Sequence, residues 1–321
     1  MRNPLLRLLT AATLAICATS LHAQGAATRI VVPFAPGGAQ DVIGRYLAER
    51  LATRTGSTVI VENKAGAGGV IAADAVAKAP ADGRTLLLAT GGAITIAPHL
   101  NPKLGYDPRK DFVPVALVAD TPMTLATRAQ SPYTNVADVL KDARDNPGRV
   151  SYASTGNGTI SHLTGELLAQ SAGVQLLHVP YRGAGPAITD LLGGQVALMV
   201  TSAASIEPMV LDKKARVLAS FTRERIGALQ GAPTMTEAAG LKGLEVPVWV
   251  GLLAPSGTPQ ASVDKLAADL VAICRQPETQ ERFKALGAAT PCGGPADLAR
   301  VIAEDDGRWE RVIQQGKIKL N

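Results

Sequence analysis

The 321-residue chain is poor in aromatic residues, at 3%, and holds only three cysteines and four histidines. So few aromatic rings leave no stacking platform for single-stranded nucleic acid. No basic run marks a nucleic-acid face, and the net charge of +5 falls to +3 once Arg2 and Arg7 are set aside with the N-terminal segment. There is no Cys-x-x-Cys, and His99, His162 and His178 lie far apart, so metal binding has no support. A P-loop Gly-Lys-Ser/Thr, a Gly-x-Ser-x-Gly elbow and a His-Glu-x-x-His pair are all missing. Gly156-x-Gly158-x-x-Ser161 lacks the third glycine of a dinucleotide fingerprint. No cofactor is expected.

The first 23 residues read as a secretory signal peptide. Met1 to Arg7 is a short basic region, residues 8–21 are apolar and Ala-rich, and Ala23 offers a small residue for cleavage. The stretch is too short and too weakly apolar for a spanning helix, and no other stretch approaches the roughly 18 apolar residues one needs. A lipoprotein reading on Cys17 would place bulky Ile16 where a small residue is required. The mature chain is therefore expected to be exported and soluble. Cys274 and Cys292 then remain, as one disulfide or as two buried free thiols.

What is abundant is apolar residues at 46%, glycine and short β-like runs that alternate with helix-period segments. Strands are expected at 29–34, 58–62, 85–90, 113–119, 149–153, 174–179, 195–201 and 216–221. Helices are expected at 39–54, 69–79, 135–145, 159–172, 184–192, 260–275, 278–286 and 295–315. The alternation argues for α/β architecture around mostly parallel sheets. Two extended stretches, 112–128 and 247–255, read as crossings between lobes. Lobe one then comprises residues 24–120 and 248–321, and lobe two residues 121–247. Two α/β lobes joined by two extended hinge strands form a type II-like, two-lobed binding architecture with the ligand cleft between them.

Four glycine turns fall where strands end and helices begin, the place where open α/β sheets hold ligands. They are Pro36-Gly37-Gly38, Gly66-Ala67-Gly68-Gly69, Thr155-Gly156-Asn157-Gly158-Thr159, and Pro180-Tyr181-Arg182-Gly183-Ala184-Gly185. Strand, glycine turn and helix aim backbone N–H groups and a positive helix end at one point, which suits an anion without any Lys or Arg. The first and third turns, about 120 residues apart, suggest two lobes facing one small ligand. Asp41 stands in a first helical turn, where an acid favours the dipole, as a cap or a ligand contact. His162 and Glu166, four apart on one helix, read as a structural pair, a ligand contact or, with Ser154, a catalytic group. Arg182 reads as a solvated or interlobe residue, or as the partner of a distal carboxylate.

These stretches resemble the solute receptors of tripartite tricarboxylate transporters, the Bug family. The likeness runs through Phe34-Ala35-Pro36-Gly37-Gly38-x-x-Asp41, Val61-Glu62-Asn63-x-x-Gly66-Ala67-Gly68-Gly69 and Ala79-x-x-Asp82-Gly83-x-Thr85-Leu86. It continues in Ser154-x-Gly156-x-Gly158-Thr159-x-x-His162-Leu163, His178-Val179-Pro180-Tyr181-Arg182-Gly183, Leu192-x-Gly194-Gln195-Val196 and Leu253-Ala254-Pro255-x-Gly257-Thr258-Pro259. The resemblance covers about residues 28–290 and implies a periplasmic, monomeric receptor that closes on a small carboxylate and delivers it to membrane permease subunits. It carries ligand contact onto Phe34, Ala35, Pro36, Gly37, Gly38 and Asp41 in lobe one, with Thr90 at a strand end. In lobe two the set is Ser154, Thr155, Gly158, Thr159, His162, Tyr181, Arg182, Gly183 and Thr201. Where the family often has Gly-Gln-Val-Asp followed four residues on by another Asp, this chain has Ala197 and Thr201. Without that second acid there is no partner for an amino group, which favours a dicarboxylate, hydroxy acid or aromatic carboxylate. A binding protein is thus expected rather than an enzyme. A ligand-sensing subunit for a membrane kinase and a periplasmic Ser/His hydrolase are the alternatives.

Overall fold

Two five-stranded sheets organise the chain in the computed structural model, and both follow one plan. The structure describes residues 27–226, 229, 231–316 and 318, so the expected signal peptide lies outside the described residues. In the first sheet the order is β2 (Val59–Asn63), β1 (Thr28–Val32), β3 (Thr85–Ala89), β10 (Trp249–Pro255), β4 (Phe112–Asp120). In the second it is β7 (Leu177–Pro180), β6 (Ser151–Ser154), β8 (Leu198–Ser202), β5 (Met123–Arg128), β9 (Ala215–Ser220). The first three strands of each list are parallel, with Ile30 opposite Val61 and Leu86 in the first sheet. β10 and β5 run antiparallel to both of their neighbours. Each sheet is therefore mixed, with four strands in one direction and the strand that arrives from the other lobe running in the opposite direction.

The chain changes sheets in two residues, Thr121 and Pro122, between β4 and β5. It returns just before β10, and the crossings are tied together. The Thr121 N–H donates to the Val248 carbonyl at 2.8 Å, and the Val248 N–H donates to Asp120 Oδ1 at 3.0 Å. These are the hinge strands expected at 112–128 and 247–255.

The helices cover both faces of each sheet. α1 (Ala39–Thr55) buries Ile43, Leu47, Ala48 and Leu51, the recurrence of one helical face, and stops at Gly56 in the left-handed region. Gly44 in this helix leaves room for Val32: a Cβ there would meet the Val32 side chain at 2.9 Å. α2 (Val70–Ala77) and a short α3 (Ala97–Leu100) complete the first half of lobe one. Lobe two carries α4 (Val136–Asp145), α5 (Ile160–Ala172), α6 (Ala184–Gly193), α7 (Ala203–Leu211) and α8 (Met235–Ala239). The chain closes with α9 (Gln260–Cys274), α10 (Pro277–Ala285) and α11 (Pro295–Gly316). α11 links the two cores: Leu298 packs beside Leu87 and Trp249 of lobe one, while Trp309 and Ile313 join Leu163 and Tyr152 of lobe two. Cys274 and Cys292 are free thiols, with Cys274 Sγ turned to the Val118 carbonyl and Cys292 Sγ to the Thr290 carbonyl. No helix among the described residues is long and apolar enough to cross a membrane.

Candidate functional site

Three helix N-termini converge between the lobes. α1 begins at Gly38 in lobe one; α5 begins at Thr159 and α7 at Ser202 in lobe two. They surround a small cavity of about 30 Å³. Phe34, Gln40 and Thr90 line it from lobe one, and Thr155, Thr159, Ile160, Ser161, Thr201, Ser202 and Ser205 from lobe two, with Met123 and Val248 at the crossings. None of these side chains is charged. Positive character comes from the helix ends alone, each contributing roughly 0.3–1 kcal/mol toward an anion and more when buried.

Hydroxyl groups make up much of the wall, and most are already engaged. Thr159 Oγ1 donates to the Gly156 carbonyl at 2.7 Å and accepts from the His162 N–H at 3.3 Å. Ser161 Oγ donates to the Val200 carbonyl while accepting from the Thr155 N–H. Ser202 Oγ and Ser205 Oγ are 2.9 Å apart. Thr201 Oγ1, by contrast, is buried in the cavity wall with no hydrogen-bond partner among the described residues. An unpartnered buried hydroxyl facing a cavity of this size suits a polar atom of a ligand.

A second, wider cavity of about 360 Å³ opens outward from the same cleft. Phe34 and Thr155 line both cavities, and residues 65–69, Asn157, Tyr181 and Arg182 line only the outer one. Arg182 is exposed and is the only charged side chain among the residues lining it. The lobes meet here through glycine. A Cβ on Gly68 would lie 2.7 Å from the Asn157 carbonyl oxygen, and one on Gly183 would lie 3.3 Å from the Ala35 nitrogen, so only glycine lets these backbones touch.

The remaining expected contacts stand behind the wall. Asp41 is buried, accepting from Asn63 Nδ2 at 2.8 Å, from Arg45 Nε at 3.0 Å and from the Gly37 N–H at 3.1 Å. Burial works to raise its pKa, but the hydrogen bonds from Arg45, Asn63 and Gly37 outweigh it and hold the carboxyl below the usual range. Asn63 also donates to the Phe34 carbonyl at 3.0 Å. Asp41 is thus a brace that shapes the loop from Phe34 to Gly38, within which Pro36 and Gly37 are solvent-exposed. Gly158 donates its N–H to His162 Nδ1 at 3.2 Å, so His162 braces the third turn in the same manner.

Ser154 is fully buried and lines neither cavity. Its Oγ lies 2.6 Å from His178 Nε2, not beside His162. The His162 and His178 rings stack with centroids 4.0 Å apart, and Tyr152 stacks on the far side of His178. Burial, reinforced by the neighbouring His162, pushes His178 down to about 3, so the stack is neutral. A nucleophile must open onto the substrate's cavity, and this hydroxyl lines neither one. Sequence reading missed Gln40, Ser161, Ser202 and Ser205. Ser202 carried a usable signal, an N-cap residue directly after an apolar run.

Two α/β lobes, tied by paired crossings and closed over a cavity walled by helix ends and hydroxyls, define a two-lobed solute-binding protein of the periplasmic type. The model of the tripartite tricarboxylate transporter family receptor matches residues 43–318, and the chain belongs to that family. The solved periplasmic binding protein BugD is similar at TM-score 0.87 and 38% identity, covering 91% of this chain and 98% of that one. Rpa4515 of R. palustris, solved with adipate, has TM-score 0.88 and 34% identity over 92% of this chain and 99% of its own. MatC of Rhodopseudomonas palustris, solved with bound malate, has TM-score 0.85 and 35% identity over 90% and 99%.

Proposed function

We propose that this protein is an exported, periplasmic receptor that closes on a small carboxylate and delivers it to the membrane permease of a tripartite transporter. It performs recognition and closure, with no bond chemistry. The observation that carries this reading is the convergence of three helix N-termini on a cavity without a charged side chain. A carboxylate would be neutralised there by backbone dipoles and hydroxyls, and Thr201 would gain the partner it lacks. Each charge-assisted contact contributes about 1.5–3 kcal/mol, so several on one carboxylate reach the roughly 8 kcal/mol of micromolar binding. The adipate and malate held by two relatives support a dicarboxylate or hydroxy acid. Arg182, at the outer cavity, would receive the distal carboxylate.

Ser154, buried with its hydroxyl on His178 and Gly156 and lining neither cavity, supports binding over hydrolysis. The test is a thermal-shift screen of residues 24–321, freed of co-purified ligand, against C4–C6 dicarboxylates, citrate, nicotinate, terephthalate, glutamate and aspartate. Binding to the native state alone raises stability with ligand concentration. A shift with one acid class, reduced in Thr201→Val, is the expected result; flat responses to every acid would count against the reading.

A further inference from the structure

Beside the first crossing, at Asp120 and Pro122, lies a groove of about 960 Å³ that the receptor reading does not use. Its walls come from both lobes: Glu207 of α7 and Ile226 beyond β9 on one side, Lys284 and Ala285 of α10 on the other, with Asp120 and Pro122 of the first crossing between them. Glu207 lines the groove at 4% exposure and makes no hydrogen bond or ion pair with any described residue. Burial, with nothing to offset it, pushes its carboxyl up to about 7. A carboxylate set in an apolar groove with no protein donor keeps only groove water as its partner, which leaves room for a better donor. Among the described residues none supplies a partner, and the groove brings solvent-borne molecules to it.

The character of the groove narrows what that partner is. Three acids, Asp120, Glu207 and Glu281, face a single base, Lys284, and alanine, glycine, proline and isoleucine supply much of the rest. Net negative charge on largely apolar walls selects a cation that carries hydrocarbon. We propose that this groove is a second ligand site, for a small organic amine with an apolar body, whose ammonium group donates to Glu207. Because its walls belong to both lobes, its shape changes as the lobes rotate, and occupancy there is thermodynamically linked to closure of the cleft.

The test is calorimetric titration of residues 24–321 with phenethylamine, with 2-phenylethanol as the uncharged counterpart, and no carboxylate ligand present. Wild-type protein is expected to bind the amine saturably and the alcohol at least about tenfold more weakly, the difference a charge-assisted contact makes. Glu207→Gln is expected to lose about tenfold or more for the amine, and Ala285→Trp, an exposed position that fills the groove, to abolish binding. Melting curves confirm that both variants are folded. Absence of saturable binding by the wild type, or an amine affinity in E207Q equal to that of the wild type, overturns the proposal.

Discussion

Ala39 and Ser205 meet across the cleft: the Ala39 N–H donates to Ser205 Oγ at 3.3 Å. One residue opens α1 in lobe one and the other lies in the first turn of α7 in lobe two, so a single hydrogen bond joins two positive helix ends. Two like ends facing each other disfavour closure unless negative charge sits between them. In the proposed receptor this contact would make closure and anion binding parts of one event.

Ser205→Ala is therefore expected to weaken carboxylate binding about 3- to 10-fold while shifting the melting temperature of the ligand-free protein by no more than about 2 °C. Calorimetry and a melting curve check both. Unchanged affinity would mean that the bond has no part in the closed, liganded state.

Asp41→Ala is expected to cost about 2–4 kcal/mol of stability, because it removes the acceptor of the Gly37 N–H and of one of the two Asn63 Nδ2 hydrogens and releases Arg45. Its lowered pKa makes this contribution present above the unfolded value near 3.8 and lost as pH falls through the native one. Denaturant unfolding at pH 7 and pH 3 should show the gap between wild type and variant narrowing in acid. An equal gap at both values would remove the ionised brace from the account.

His178 gives the protein a different acid sensitivity. Its native pKa is depressed to about 3, so between that value and 6.5 the unfolded chain binds a proton that the native state refuses. Stability is then fully present above about pH 6.5 and falls as pH drops toward 3. His178→Gln should flatten this part of the pH–stability curve, read from melting temperatures at half-unit steps. A variant curve parallel to that of the wild type would show that the stacked rings do not control it.

Glu207 works in the opposite sense. Its native carboxyl titrates near 7, above the unfolded value of 4.5, so its neutral form favours folding at low pH and that advantage disappears as pH rises through 7. Glu207→Gln should raise the melting temperature at pH 8 and leave it nearly unchanged at pH 4. A drop at pH 8 would mean that the carboxylate is satisfied in the folded protein.

The lobes and the cleft were legible in sequence because their signals are local. Strand, glycine turn and helix recur at Phe34–Gly38 and at residues 154–159, and the crossing at residues 120–122 is marked by Pro122. Several helical pieces were not foreseen, α3 among them. α7 contains Pro208, which reads as a breaker, yet the helix tolerates it near its C-terminal end. α8 has five residues and is held by a Thr234–Glu237 capping box, a signal present in sequence but too short to show periodicity. Residues 92–96, Gly-Ala-Ile-Thr-Ile, carry β-branched side chains but wind into a π-helical turn. There Thr95 Oγ1 donates to Asp305 Oδ2 at 2.7 Å, a contact 210 residues distant in sequence that no local pattern encodes. The site divided in the same way. Glycine turns announced the cleft, whereas the choice between wall and brace at Asp41 and His162, and the place of Ser154 beside His178, depended on packing between strands that only the fold brings together.

The central claim is that helix ends and hydroxyls of the inner cavity, without a charged side chain there, recognise one carboxylate of the ligand. The most direct measurement is calorimetric titration of ligand-free residues 24–321 with adipate and malate, each set against its uncharged diamide. The account predicts saturable binding of at least one diacid near the micromolar range, none of its diamide, and a loss in Arg182→Ala that is larger for the diacid than for a monoacid. A diamide bound as tightly as its acid, or no binding of either acid, would contradict it.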